Sequence, residues 1–245
     1  MQCGCAVLLT LALLLGCGSG TSAPVVTPTK IDPATVGMIR GKVLFKGVPP
    51  TNPRLPIGGN PECAALHPGS VTDPVVLVKD GRLQNVFVFV KTGLESYVFD
   101  WPRVPVTMSN EKCLYTPRVI GVQVHQPVRF ENQDAVDHNV LIHAVQGLSN
   151  RTLHGLGSSD TVKFLQPEVM IPVTCSLHPW MVGYIGVVRH PFFQVTGPDG
   201  SFEFKGLPPG EYEIEAWHET QGRQTRKAKL DPKGSLEIEF DFPDK

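Results

Sequence analysis

Apolar residues recur at every second position along most of this chain, and that period constrains its fold more than any other feature. "IRGKVLF" puts Ile39, Gly41, Val43 and Phe45 on one side. "EYEIEAW" does the same with Tyr212, Ile214 and Ala216, and "SLEIEFDF" with Leu236, Ile238, Phe240 and Phe242. "GVQVHQPVRFEN" alternates at Val122 and Val124, then at Val128 and Phe130, whereas "NVFVFVK" is short and apolar on both sides. Successive side chains of a strand point to opposite faces, so this pattern buries one face of each strand. The Gly and Pro residues, 24 and 23 of them, fall between the runs as turn punctuation. Only "NPECAALH" reads as a helix, with Asn60 as N-cap and Pro61 at the first helical position. The chain is expected to be all-β and built as sandwiches.

The first residues carry a different signal. An apolar run of about ten residues, Ala6 to Leu15, is too short to cross a bilayer and has the length of a secretory core segment. It ends in "LLGC", which resembles a bacterial lipobox. That resemblance makes residues 1–16 a lipoprotein signal peptide and Cys17 the lipid-modified first residue of an envelope protein, facing the periplasm or the cell surface. The n-region "MQCGC" lacks the usual Lys or Arg, and Leu15 is large for its place. Two or three acyl chains would anchor such a protein firmly, at roughly 0.8 kcal/mol per buried CH₂. Residues 17–36, rich in Gly, Ser, Thr and Pro, read as a flexible tether reaching roughly 25 Å.

Charge is balanced, with 22 basic and 23 acidic residues scattered along the chain. No basic stripe points to nucleic acid. Of six cysteines, Cys3 and Cys5 leave with the signal and Cys17 takes lipid, so Cys63, Cys113 and Cys175 remain. In an oxidising compartment three thiols imply one pair and one thiol with another use. Cys63 and His67 in "ECAALH" could ligate a metal with Cys113, but "CLYTPRV" offers no fourth ligand. A Cys63–Cys113 disulfide is the simpler expectation.

"TCSLHPWM" supplies that other use. It spaces Cys175, His178 and Met181 three residues apart, and "FENQDAVDHNV" upstream adds His138. A mononuclear blue copper centre takes two imidazoles, one thiolate and a weak axial thioether, and these four residues provide that set once each. A structural zinc site would more often use Cys and His alone. His125, His143, His154, His190 and His218 match no ligand position and are expected in solvated or hydrogen-bonded roles.

Residues 103–189 resemble a cupredoxin. "CSLHPWM" resembles the Cys-x-x-His-Pro-Phe-Met ligand loop of amicyanin, and "TPRVIGVQVHQPVRFENQDAVDHNV" follows the family's order of strand, turn, strand and His-Asn-Val. The resemblance implies a Greek-key sandwich with His138 as the buried ligand and His178 as the ligand whose ring edge nears the surface. It makes Asn139 the residue that ties the two ligand loops together by hydrogen bonds around the thiolate. Asp137 stands where relatives often have Pro, and Trp180 replaces Phe as a larger apolar rim facing a partner.

The rest of the chain carries a repeat: "FKGVPP" at Phe45 to Pro50 returns as "FKGLPP" at Phe204 to Pro209. The second copy lies in "PDGSFEFKGLPPGEYEIEAW", which resembles a carboxypeptidase regulatory-like β-sandwich. Residues 37–102 and 190–245 then form one such sandwich interrupted by the cupredoxin, or two sandwiches stand in series. A copper site with all four positions filled has no room for substrate, so the expected function is not enzymatic. It is transfer of single electrons between redox proteins of the envelope, on one copper ion. A copper-stabilised binding or adhesion module and a periplasmic copper delivery protein are the competing readings.

Overall fold

The computed structural model describes residues 29–243. Residues 1–16, expected as a signal peptide, and Cys17 lie outside them. Strands dominate, as the alternation predicts. The first four are β1 (Gly37–Lys46), β2 (Val78–Lys79), β3 (Arg82–Leu83) and β4 (Phe87–Thr92). Nine follow in the middle of the chain: β5 (Val106–Glu111), β6 (Leu114–Thr116), β7 (Val119–Gln123), β8 (Pro127–Asn132), β9 (His138–Ala144), β10 (Gly147–Leu153), β11 (Ser159–Lys163), β12 (Glu168–Thr174) and β13 (Val182–Val188). The last five are β14 (Phe193–Val195), β15 (Ser201–Leu207), β16 (Gly210–His218), β17 (Gly222–Leu230) and β18 (Ser235–Pro243). Among the described residues no helix is long and apolar enough to cross a membrane.

Two sandwiches result. In the first, β1 pairs with β15 and β3 on one edge and runs parallel to β18 on the other, while β14, β4, β16 and β17 form the facing sheet. Ile39, Val43, Phe45, Phe202, Phe204, Ile214, Phe240 and Phe242 fill the space between them. The two copies of the repeat thus belong to neighbouring strands. In the second copy Gly206 has φ of +75° and bulges out of the β1–β15 register, a left-handed conformation that glycine adopts without steric cost. The second sandwich packs the sheet β10-β9-β12-β13-β7 against β11-β8-β5-β6.

Two segments depart from expectation. Residues 29–36, expected as the end of a flexible tether, are held against the first sandwich. Thr29 N–H donates to Ser96 C=O at 2.8 Å and Lys233 N–H donates to Thr35 C=O at 2.9 Å. The stretch from about 50 to 74, expected in the first sandwich, packs on the second. Its helix α1 (Pro61–Ala65) forms with Asn60 as N-cap, accepting from Cys63 N–H at 3.0 Å. Ile57 and Cys63 join the second core, where the apolar side chains that bury them are found. This cap segment is covalently fixed by a Cys63–Cys113 disulfide, Cα–Cα 5.8 Å.

The sandwiches are joined through an apolar seam. Phe87 and Phe89 of β4 lie against Val119, Met170 and Val188 of the second sandwich, with Tyr184 and Trp217 at the margin. Gly121 and Gly186 are register partners on β7 and β13, and a Cβ on either would come within 2.6 Å of the Phe87 ring. Glycine inside a strand marks such a close approach. Beside the seam the buried Arg118 donates from Nε and Nη2 to Glu219 at 2.6 and 2.8 Å, and from Nη1 to Asp73 at 2.7 Å. Three segments are tied by one guanidinium: the cap through Asp73, the second sandwich through Arg118 and the first through Glu219.

Candidate metal centre

Three strand ends meet at one end of the second sandwich. β9 begins at His138, β12 ends at Thr174 just before Cys175, and β13 begins just after Met181. Because β9 and β13 are both antiparallel to β12, their starts lie beside its end. The loop from Cys175 to Met181 closes on itself by Met181 N–H donating to His178 C=O at 2.9 Å.

The donors converge. Nδ1 of His138 and Nδ1 of His178 are 3.0 Å apart, and Cys175 Sγ is 3.7 Å from the latter. One ligand atom from each of the three residues falls within 4.8 Å of the others. His138, Cys175 and Met181 are essentially without solvent exposure, and Met181 shares the core that contains Cys175. Such a thiol and imidazole pair fits a soft or borderline metal ion, with no carboxylate needed in the set.

The remaining nitrogen of His138 is gripped by an acceptor, which fixes that ring's orientation and tautomer, whereas that of His178 is covered by an amide. His138 Nε2 faces Asp134 Oδ2 at 2.9 Å. The same carboxylate accepts from Lys112 N–H at 2.6 Å and Cys113 N–H at 2.8 Å. His178 Nε2 faces Asn60 Nδ2 at 3.2 Å. Asn139 joins the loops: Oδ1 accepts from Ser176 N–H and Nδ2 donates to Ser176 Oγ, each at 2.7 Å. Its own N–H points at Cys175 Sγ at 3.4 Å. Tyr115 adds a third tie, its hydroxyl contacting Asn139 C=O at 3.0 Å and Thr174 C=O at 2.9 Å.

Electrostatics follow from these contacts. Burial opposes charge on the Asp134 carboxyl, yet the His138 hydrogen bond and the two amides hold it below the usual carboxylate range. Burial likewise raises the Cys175 thiol, but His138 and the amides of Asn139, His178 and Leu177 bring it down overall, toward the thiolate. For His138, burial lowers basicity and is outweighed by Asp134 and Cys175, so the net direction is up. His178 goes down, through burial and then the neighbouring His138 charge.

His178 differs from expectation. Its ring edge does not reach the surface: the residue is 3% exposed. The cap segment covers it through Asn60, and the half-buried Trp180 ring lies 5.3 Å away, centroid to centroid. Trp180 is itself held down, its indole N–H donating to Cys113 C=O at 3.0 Å. The other histidines stay out of the cluster. His143 meets Thr174 Oγ1, His154 meets the Asp137 carboxylate and His190 Nε2 donates to Val90 C=O. His125 packs against Trp101, and His67 contacts Lys112 C=O. His218 is buried in the first sandwich. Sequence reasoning missed Asp134, Asn60 and Tyr115 as site residues. Only Asp134 left a trace, as a carboxylate four residues before the ligand histidine in a loop folded by Asn132, whose Oδ1 accepts from Asp134 N–H at 2.9 Å.

No family model and no curated protein matches the sequence. Solved structures do. An amicyanin mutant in its reduced state is 23% identical over 34% of this chain and 81% of its own, with a TM-score of 0.31. A purple cupredoxin from Nitrosopumilus maritimus is 24% identical over 33% of this chain and 97% of its own, with a TM-score of 0.29. A copper-containing nitrite reductase from Thermus scotoductus is 19% identical over 60% of this chain but only 28% of its own, at a TM-score of 0.32.

Proposed function

We propose that the chain is a one-electron carrier with a single copper ion held by His138, Cys175, His178 and Met181. The observation that carries this reading is the buried convergence of one thiol and two imidazole Nδ1 atoms within 4.8 Å. Bound there, copper would alternate between Cu(II) and Cu(I). The chain's residues do the rest. Asp134 holds the His138 ring by its second nitrogen, Asn60 covers the second nitrogen of His178, and Asn139 fixes the thiol-bearing loop. A site held this stiffly limits rearrangement between oxidation states. Tyr115, Met181 and the cap exclude water. With four protein donors the centre leaves no place for a substrate, which favours a carrier over an enzyme.

The covering of His178 sets the route. Electrons would pass from His178 to the neighbouring Trp180 ring instead of leaving by a bare imidazole edge. The partners are redox proteins of the cell envelope, and lipid on Cys17, at the start of the tether of residues 17–36, holds the carrier to a membrane. Cys17→Ser is expected to shift the protein out of the membrane fraction and to end acyl labelling. Carrier chemistry is tested by optical and electron-paramagnetic-resonance spectra of the Cu(II)-loaded protein. An intense visible thiolate-to-copper band is expected; a colourless Cu(II) protein rejects the reading.

A further inference from the structure

His178 stands between two sulfur sets. Its Nδ1 faces Cys175 and His138, while its Nε2 faces the cap through Asn60. On the cap side, ligand atoms of Cys63, Cys113 and His178 also lie within 4.8 Å of one another, and all three residues are buried. The two sulfurs there are joined as a disulfide. The cross-link therefore closes off a second donor cluster that shares a histidine with the first.

We infer that reducing the Cys63–Cys113 bridge unmasks a second site for a soft cation, Cu(I) foremost, made by both thiolates and His178. The reductant is a dithiol. It gives two electrons to the bridge, its own sulfurs close into a disulfide, and its two protons leave Cys63 and Cys113 as thiols. Metal binding then displaces those two protons, and a third from His178 Nε2 where Nδ1 already holds a metal, with no change in oxidation state. Thiolates select Cu(I) over harder ions.

What makes the site more than two loose thiols is that neither cysteine depends on the bridge for its position. Cys63 N–H is held by Asn60 Oδ1. Cys113 is held from both sides, its N–H by Asp134 Oδ2 and its C=O by the Trp180 indole. Their Cα atoms are 5.8 Å apart, close enough for both sulfurs to bind one ion after the bond opens. The segment bearing Cys63 has only two short helical turns, so local opening gives a reductant access without unfolding either sandwich. An ion caught on the cap side would share the His178 ring with the main centre.

The test uses Cys175→Ser protein, in which the main thiolate is gone, so its result does not depend on whether the main centre holds copper. The probe is Cd(II), whose bond to a thiolate absorbs in the ultraviolet. The oxidised variant is expected to show no such band. After anaerobic treatment with dithiothreitol and its removal, a band should grow and saturate at one Cd(II) per chain. Adding His178→Gln should weaken that binding by about tenfold or more, and replacing Cys63 and Cys113 with Ser should abolish it. Two new titratable thiols without a band, or a band of unchanged affinity in the His178→Gln protein, overturns the inference. As a second measurement, Cu(I) uptake by wild-type protein against a chromogenic chelator should rise by one ion per chain on reduction. No rise, with both thiols titratable, overturns it as well.

Discussion

Asn60 and His178, 118 residues apart in sequence, meet through Nδ2 and Nε2 at 3.2 Å. The same amide caps helix α1 through Oδ1, so one side chain both caps that helix and covers the imidazole.

Asn60→Ser separates those roles, since Ser can still accept from Cys63 N–H but cannot reach the ring. Unfolding stability should hardly change, whereas Asn60→Ala should cost about 1 kcal/mol for the lost cap. In the copper-loaded Ser variant, electron self-exchange measured by NMR line broadening should accelerate, because the ring edge is uncovered. An unchanged rate would mean that Asn60 does not insulate His178.

Replacing Cys175 with Ser should remove the visible band of the Cu(II) protein, which needs sulfur. Met181→Leu should keep the colour and raise the reduction potential, because loss of a weak axial donor disfavours Cu(II) relative to Cu(I). Voltammetry checks the second point, and a lowered potential would contradict the axial role.

At the seam, a Cβ on Gly186 would lie 2.5 Å from the Phe87 ring. Gly186→Ala should destabilise by roughly 1–3 kcal/mol, the usual cost of overpacking. Phe87→Leu frees space at the same spot, so the double variant should lose less than the sum of the single losses in denaturant unfolding. Strict additivity would show that the two residues do not compete for one space.

Burial takes His190 down to about 4 from 6.5, against the weaker opposing pulls of its backbone hydrogen bonds and of Glu95. Its folded state therefore binds the proton less readily than the unfolded chain does. The stabilisation is fully present above pH 6.5 and is lost as pH falls through about 4. The loss amounts to about 3 kcal/mol at most. His190→Gln should flatten the stability profile across that window; an equally steep profile would place the acid sensitivity elsewhere.

Some of this is legible in the sequence and the rest is concealed for identifiable reasons. The strands β1, β16 and β18 can be read because each has one wet face, which forces alternation. Cys175, His178 and Met181 stand out because their chemistry is packed into one loop. Asn60 and Asp134 do not, since an amide and a carboxylate in loops are ordinary until the fold sets them against a ring nitrogen. The cap is hard to place for a related reason: chain neighbours usually pack together, but Ile57 and Cys63 find their apolar surroundings across the molecule. Gly121 and Gly186 give the weak cue of glycine inside a strand, without saying which ring comes to fill the notch.

The pairing of β14 with β4, Phe193 opposite Phe89 and Val195 opposite Phe87, bears on the order in which the chain can fold. Everything between Thr92 and Phe193 must first be gathered so that its two ends emerge side by side. A loop that long is costly to close while it is unfolded, but a folded unit with adjacent ends has already closed it. The sandwich with the candidate metal centre is thus expected to form early. The strands that flank it in sequence complete their own sheet late, around a template supplied by the finished insert, with the rings of Phe87 and Phe193 entering glycine-lined spaces that exist only once β7 and β13 have paired.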